Sequence, residues 1–315
     1  MAEPGPDIVR KVWLSLKNEL DKHIVGLDNT KEEMFIALVS RGHILLEGAP
    51  GIAKTTLAKT FASLLDLKFK RIQFTPDLLP ADIIGVKMFN MKTGDFEVKL
   101  GPIFANIVLA DEINRAGPKT QSALLEAMQE LQVTIEGEVY KLPDPFMTIA
   151  TQNPIEVEGT YPLPSAQLDR FMIKSEVSYP PIETYISVMK MYGGYSRVEA
   201  KPIISSEEVV LIQKIIDRVY VSEEMYNYIA TIIQEVMSDE RVRWGVSPRA
   251  ALHLVRASKA YALMNGRDYI SPEDVKRLIK PVLNHRIILT SESLFKGETP
   301  ENVLEDAIRR VSVPI

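Results

Sequence analysis

Lys54 and Thr55 stand at the end of "EGAPGIAKTT", and Asp111 and Glu112 stand at the end of "IVLADE". In the first stretch an apolar run, a Gly-containing loop and a helical run follow one another, the order a phosphate-binding loop needs. Such a loop turns its backbone N–H groups and the first turn of its helix toward anionic oxygens. Gly48, Ala49, Pro50, Gly51, Ile52, Ala53, Lys54, Thr55 and Thr56 are the candidate contacts. Lys54 would reach the β- and γ-phosphates of ATP, and Thr55 would ligate Mg²⁺. The plain alternative is a strand-to-helix turn carrying an exposed Lys. One position departs from the usual pattern, which has Gly directly before the Lys: here it is Ala53. With a negative φ the methyl group costs little, whereas a positive φ would cost about 1–2 kcal/mol.

The second stretch ends a strongly apolar strand with two acids. In a parallel sheet the C-terminal strand ends are where ligands sit. Asp111 would hold hydrated Mg²⁺, and Glu112 would polarise an attacking water as general base. Two carboxylates at a strand end are common on protein surfaces. The pair gains meaning from the apolar strand before it and from the phosphate loop upstream.

The elements that must position these residues follow from periodicity. Residues 8–40 read as helical, "HILLEG" as a buried strand, "TTLAKTFASLL" as a helix and "FKRIQFT" as a second strand. This alternation predicts an α/β fold with a parallel sheet. Residues 76–102 break the rhythm, with a T-G-D turn between two alternating runs that reads as an inserted β-hairpin. "QVTIEGEVYKL" reads as a second hairpin turning at Glu136-Gly137, and "IFANIVLADE", "FMTIATQNP" and "FMIKSEVSY" supply further strands. After Tyr179 the pattern becomes helical, around 183–191, 206–219, 222–238, 248–264 and 272–284. Ser247-Pro248 and Ser271-Pro272 both read as a Ser N-cap followed by Pro at the first helical position. "YGGYSRVEAKP" reads as a linker.

Composition bounds the function. With 315 residues, 46% of them hydrophobic, the chain can bury one large core or two modest ones. The formal net charge of −5 shows no excess of basic residues that would suggest nucleic acid or an anionic membrane. The absence of cysteine excludes disulfides, thiolate metal sites and cysteine nucleophiles, and fits either a reducing compartment or selection against thermolabile residues. No apolar run approaches the roughly 20 residues that a membrane span needs, and the N-terminus lacks a signal-like apolar segment. A cytoplasmic location without membrane insertion is the expectation. His23, His43, His253 and His285 are scattered without ligand spacing, so no metal role is assigned to them.

Taken in order, "GAPGIAKT", "LADEINRA", "ATQNPIEVEGTYPLPSAQLDRF" and "GVSPRA" resemble the MoxR family of AAA+ ATPases, over about residues 20 to 290. The resemblance implies a three-layer αβα core with a parallel sheet and inserted β-hairpins, followed by an all-helical lid domain. On that reading residues 1–182 form the nucleotide-binding core with its N-terminal helices, 183–204 a linker and 205–315 the lid. It implies ATP hydrolysis with Mg²⁺, in a ring of identical subunits, usually hexameric, with nucleotide at the subunit boundaries. Members of the family also carry Ala at the position of Ala53.

Further roles rest on the resemblance. Asn153 matches sensor 1, Arg170 an arginine finger donated to a neighbouring subunit, and Arg249 sensor 2 on the lid. The ordinary alternatives are a turn Asn before Pro154 and a surface ion pair between Arg170 and Asp169. Arg249 falls near a helix N-terminus, where a cation is disfavoured unless an anion is near, and a phosphate would be such an anion. Val25 and Gly26 resemble the segment lining the adenine pocket, although Leu27 stands where the family usually has Gln. In such rings the hairpins face the central channel. Met88, Phe89, Met91 and Phe96 would grip a client there, or else pack the hairpin against its neighbour. The family suggests chaperone-like maturation of partner proteins, such as cofactor or metal insertion, with a separate von Willebrand factor A-domain protein. The rivals are a nucleic-acid translocating or unwinding motor and a nonhydrolysing nucleotide-gated scaffold. The acidic balance and the absence of an aromatic-basic stacking platform argue against the first. Intact Glu112, Asn153 and Arg170 argue against the second.

Overall fold

A computed structural model describes residues 5–154, 159–192 and 200–314. Two helices come first. α1 (Pro6–Asp21) starts on a Pro, whose missing N–H costs nothing in a first turn, and buries Val9, Trp13, Leu16 and Leu20 along one face. α2 (Asp28–Val39) is buried on nearly all sides, including Lys31. The Lys31 ammonium is tolerated there because it donates to Asp21 Oδ1 at 2.6 Å and to the Ile24 carbonyl at 2.7 Å.

The core alternates as the apolar pattern demands. β1 (Ile44–Gly48) leads through the loop into α3 (Lys54–Leu64), then β2 (Phe69–Gln73) and a short helix, α4 (Pro80–Ile84). A hairpin of β3 (Gly85–Asn90) and β4 (Asp95–Leu100) follows, then β5 (Ile107–Asp111) and α5 (Pro118–Glu130). A second hairpin pairs β6 (Gln132–Ile135) with β7 (Glu138–Lys141) before β8 (Met147–Gln152), α6 (Ser165–Leu168) and β9 (Ile173–Val177). The five strands outside the hairpins form one parallel sheet in the order β2-β5-β8-β1-β9. The chain leaves β1 toward one edge of the sheet and leaves β8 toward the other. A crevice therefore opens at the C-terminal ends of β1 and β8, where the order reverses. β5 and β8 are buried on both faces, which is why their sequences read as unbroken apolar runs.

Both hairpins form as expected. Glu136 and Gly137 have φ of 49° and 86°, the paired positive values of a tight hairpin turn. On the first hairpin Phe89 and Phe96 meet edge to face with ring centroids 5.4 Å apart. They remain exposed, as do Met88 and, almost entirely, Met91. The two rings pack on each other rather than into a neighbouring element.

The segment expected as a linker begins with a helix, α7 (Ile182–Tyr192). It follows Pro180-Pro181 and has Glu183 in its first turn, both start signals. Much of the "YGGYSRVEAKP" stretch lies outside the described residues. The lid comprises α8 (Ser206–Asp217), α9 (Glu223–Ser238), β10 (Val242–Trp244), α10 (Pro248–Met264), α11 (Pro272–Leu283), β11 (Ile288–Leu289), α12 (Ser291–Phe295) and α13 (Pro300–Arg310). It is helical apart from one short antiparallel pair, β10 with β11. α12 and α13 extend it beyond the last helix expected from the sequence. α13 is amphipathic and well capped, with Thr299 and Asn302 closing a reciprocal capping box. Ser247 accepts from the Ala250 N–H at 3.2 Å, and Asp274 accepts from the Ser271 N–H at 2.7 Å, so both Ser-Pro starts fold as read.

Candidate nucleotide site

β1 ends at Gly48, and a Cβ there would lie 2.3 Å from the Val177 carbonyl oxygen, so only Gly lets β1 and β9 close up. The chain then turns through Gly51 (φ 80°) into α3. Ala53 caps α3 in the left-handed region, at φ 63° and ψ 17°. This is the costly alternative for an Ala, so the loop carries about 1–2 kcal/mol of backbone strain that a Gly would not. Ala49 and Ile52 are buried behind the loop, while Pro50, Gly51, Ala53, Lys54, Thr55 and Thr56 line a cavity of about 420 Å³. Arg71, Gln73, Asp111, Glu112, Thr151, Gln152 and Asn153 complete its wall.

Parallel register brings these residues together. Gln73 pairs with Asp111 across β2 and β5, and Glu47 pairs with Gln152 across β1 and β8. Lys54 Nζ donates to the Gly48 carbonyl and, at 3.2 Å, to the Gln152 carbonyl. Asp111 is buried and surrounded by donors. Thr151 Oγ1 lies 2.6 Å from its Oδ1, Thr55 Oγ1 3.2 Å from its Oδ2, and Arg71 donates to Oδ2 from Nη2 at 2.7 Å and from Nε at 2.9 Å. Glu112 has φ 56° and ψ 52°, an uncommon conformation for a residue with a side chain. Its N–H donates to Thr151 Oγ1 at 2.8 Å, and its carboxylate accepts from Gln73 Nε2 at 2.9 Å and pairs with Arg115 at 3.1 Å. Asn153 is buried at the end of β8.

The residues suit a magnesium nucleotide. Thr55 and Asp111 are hard oxygen donors within reach of one ion, the donor type Mg²⁺ prefers. The N-terminus of α3 and Lys54 supply positive potential for phosphates. Gln152 Oε1 is buried without a hydrogen-bond partner among the described residues, so the wall retains an unused acceptor. A second cavity of about 440 Å³ lies where α2, β9 and α11 meet, but its cations are engaged by carboxylates. Lys174 pairs with Glu47 at 2.6 Å, Arg277 with Glu32 at 2.7 Å, and Lys280 with Glu301.

Of the site residues expected from the sequence, Gly48, Ala49 and Ile52 belong to the loop without lining the first cavity, and Val25, Gly26, Arg170 and Arg249 are also not among its lining residues. Val25 and Gly26 sit before α2, where a Cβ at Gly26 would approach Thr184 of α7 to 3.6 Å. Arg249 reaches the seam of core and lid, at Asp169, the residue before Arg170. The anion that stabilises Arg249 at the start of α10 is a carboxylate, since its Nη1 lies 3.2 Å from Asp169 Oδ2. Asp169 is engaged by Arg249, by Ser247 at 3.0 Å and by Arg286 Nε at 2.8 Å, not by Arg170. Burial alone would push the Asp169 carboxyl up, but Arg286, Ser247 and Arg249 outweigh it and hold it below the ordinary carboxylate range. Arg286 is buried, and it also donates to the carbonyls of Phe171 at 2.6 Å and Asp169 at 3.1 Å and to His253 Nδ1 at 2.9 Å. Burial lowers its own pKa against the opposing pull of Asp169. An arginine starts so high that it remains cationic. Burial and the Arg286 charge push His253 down to about 3, so it stays neutral and accepts that bond. The carbonyls flanking Arg170 are thus clamped, while its side chain makes no hydrogen bond or ion pair among the described residues.

Sequence reasoning missed Arg71, Gln73, Thr151 and Arg286. The first two leave a weak trace, polar residues at the end of a strand, "FKRIQ". Their partners become visible only once β2 is known to pair with β5.

Comparison with known proteins adds independent findings. Residues 43–173 match the model of the ATPase family associated with various cellular activities (AAA), and residues 234–307 match the AAA lid domain. The uncharacterized protein YeaC of Bacillus subtilis is 45% identical over 297 residues, covering 94% of this chain and 93% of YeaC. Chaperone MoxR1 of Mycobacterium tuberculosis is 44% identical over 306 residues, covering 94% of this chain and 81% of the relative. A crystal structure of a protein from Cytophaga hutchinsonii superposes with a TM-score of 0.92 at 42% identity, covering 98% of this chain and 97% of the other.

Proposed function

Because the chain belongs to the MoxR family of AAA+ ATPases, we propose that it hydrolyses ATP with Mg²⁺ in a ring of identical subunits, each completing its neighbour's site. The observation that carries this reading is a division of labour. Lys54, Thr55, Asp111, Glu112 and Asn153 line one cavity, whereas Arg249 is bonded to Asp169, the residue before Arg170, and neither arginine lines that cavity. A transferring phosphoryl group needs cations as well as a base. A second copy presenting its Asp169 edge would supply two.

In this mechanism Lys54 leaves the Gly48 and Gln152 carbonyls for phosphate oxygens. Thr55 and Asp111 hold the metal, which when bound spreads the charge on the phosphoryl group. Glu112 leaves Gln73 and Arg115, orients a water and accepts its proton, while Asn153 fixes the water's position. Arg170 and Arg249 of the adjoining copy face the same phosphoryl group. Hydrolysis would drive chaperone-like remodelling of a protein client, in which the exposed Met88, Phe89, Met91 and Phe96 make the grip. A separate von Willebrand factor A-domain protein and cofactor or metal insertion belong to the same proposal, as does a cytoplasmic setting. No helix among the described residues is long and apolar enough to cross a membrane.

The test is complementation between subunits. Arg170→Ala should bind ATP normally and hydrolyse it about 10³–10⁵-fold more slowly, the range measured for arginine fingers. Lys54→Ala should be inactive through lost binding. Mixed together, the two should regain activity, because some boundaries then join an intact loop to an intact finger. No rescue in mixtures shown to coassemble would reject the shared site.

A further inference from the structure

Asp111 is nearly enclosed, its side chain 8% exposed, and an ionised carboxylate there needs a compensating cation. In this structure that cation is Arg71. Two of its nitrogens, Nε and Nη2, converge on the single oxygen Oδ2 at 2.9 and 2.7 Å, while Thr151 occupies Oδ1 at 2.6 Å. Thr55, the other expected metal ligand, approaches the same Oδ2 at 3.2 Å. The guanidinium thus sits on the face of the carboxylate that Thr55 shares. Gln73 Oε1 accepts from Arg71 Nη2 and steers it there. Yet Arg71 is half exposed and lines the cavity, so it can leave Asp111 without unpacking any core.

We infer that Arg71 is a charge stand-in for the metal, holding Asp111 while no metal is bound and competing with Mg²⁺ for Oδ2 when nucleotide arrives. The inference rests on the nucleotide reading above. A dication and a guanidinium cannot share one carboxylate oxygen without repulsion, so metal entry expels Arg71 from Oδ2 toward the cavity that it lines. Each Mg²⁺ that binds with ATP therefore displaces an existing bond. The Asp111 charge is kept compensated until the metal arrives, and the apparent metal affinity is lowered in return. Arg71 is a positioning residue for Asp111 until the metal takes its place.

The readout is the ratio of ATP affinity measured with excess Mg²⁺ to that measured in EDTA, by calorimetric titration of the full chain. A charge-assisted hydrogen bond to a half-exposed group is of modest strength, so losing the competitor should shift the balance about ten-fold. Arg71→Ala should raise the ratio by about that factor, through tighter binding with Mg²⁺ and equal or weaker binding in EDTA. Arg71→Lys, which keeps the charge but loses the two-pronged contact, should lie between Ala and parent. Asp111→Asn should collapse the ratio whichever residue occupies position 71. An unchanged ratio in Arg71→Ala, with parent binding and its Asp111 dependence intact, would overturn the inference and leave the nucleotide site standing. Failure of the parent to bind ATP in either condition would instead remove the nucleotide reading. A thermal melt of each variant separates lost folding from lost competition. If Arg71→Ala does not fold, a ratio for Arg71→Lys equal to the parent's would overturn the inference.

Discussion

The cavity at the strand ends and the seam at Asp169 handle charge in opposite ways. In the cavity each acid already has partners within the chain: Asp111 has Arg71, Thr55 and Thr151, and Glu112 has Gln73 and Arg115. At the seam the acid is engaged by Arg286, Arg249 and Ser247, and Arg170 next to it stands on a clamped backbone without an ion pair among the described residues. One region is poised to bind and must break internal bonds to do so. The other holds a cation on a fixed backbone and gives it no partner among the described residues. On the proposed function, the first region gains selectivity for ligand charge, and the second depends on how a neighbouring copy docks.

The comparison can be broken most sharply at Glu112. Glu112→Gln should keep ATP binding, because Gln can still meet Gln73 and Arg115 as a neutral acceptor. Hydrolysis should slow by about 10²–10⁴-fold, the usual effect of removing a general base. Turnover at the parent rate would show that the acid in the cavity is not the base. The same variant, held in its ATP state, is the form with which to capture a bound client.

Arg286 tests the other region. Arg286→Met fills the space but strands Asp169, and the loss of one partner of a buried pair costs about 3–5 kcal/mol. Because Arg249 and Ser247 still reach Asp169, the lower end is expected, seen as a lower midpoint in denaturant titration. Where folding survives, hydrolysis should fall with ATP affinity unchanged, since the cavity is untouched. A variant with parental stability and rate would show that the clamp around Arg170 is not needed.

The smallest effect belongs to Ala53. At φ 63° a Gly avoids about 1–2 kcal/mol of strain but gives back roughly half in the unfolded chain, so Ala53→Gly should stabilise by about 1 kcal/mol or less. Nucleotide affinity should change little, because the N–H directions of the loop are kept. A large loss of affinity on Ala53→Gly would mean that the methyl group itself shapes the cavity.

What the sequence determined by itself is local. The candidate phosphate loop is a contiguous strand, turn and helix start, so Gly48 to Thr55 could be read in one pass. Asp111 and Glu112 were legible because an apolar run of strand length ends on them, and the Glu136-Gly137 turn and the Ser-Pro helix starts follow from turn and cap chemistry within four residues. Even there the sign of φ at Ala53 stayed open, since a methyl group tolerates either backbone at different cost. The tertiary structure alone decided which distant groups meet these residues. Arg71 and Gln73 reach Asp111 and Glu112 only because β2 pairs with β5 instead of with β1, its predecessor in the chain. Arg286 reaches Asp169 across 117 positions because the lid folds back on the core. Strand order and lid docking are set by the burial of whole faces, a sum over many side chains in which no single short stretch carries the answer.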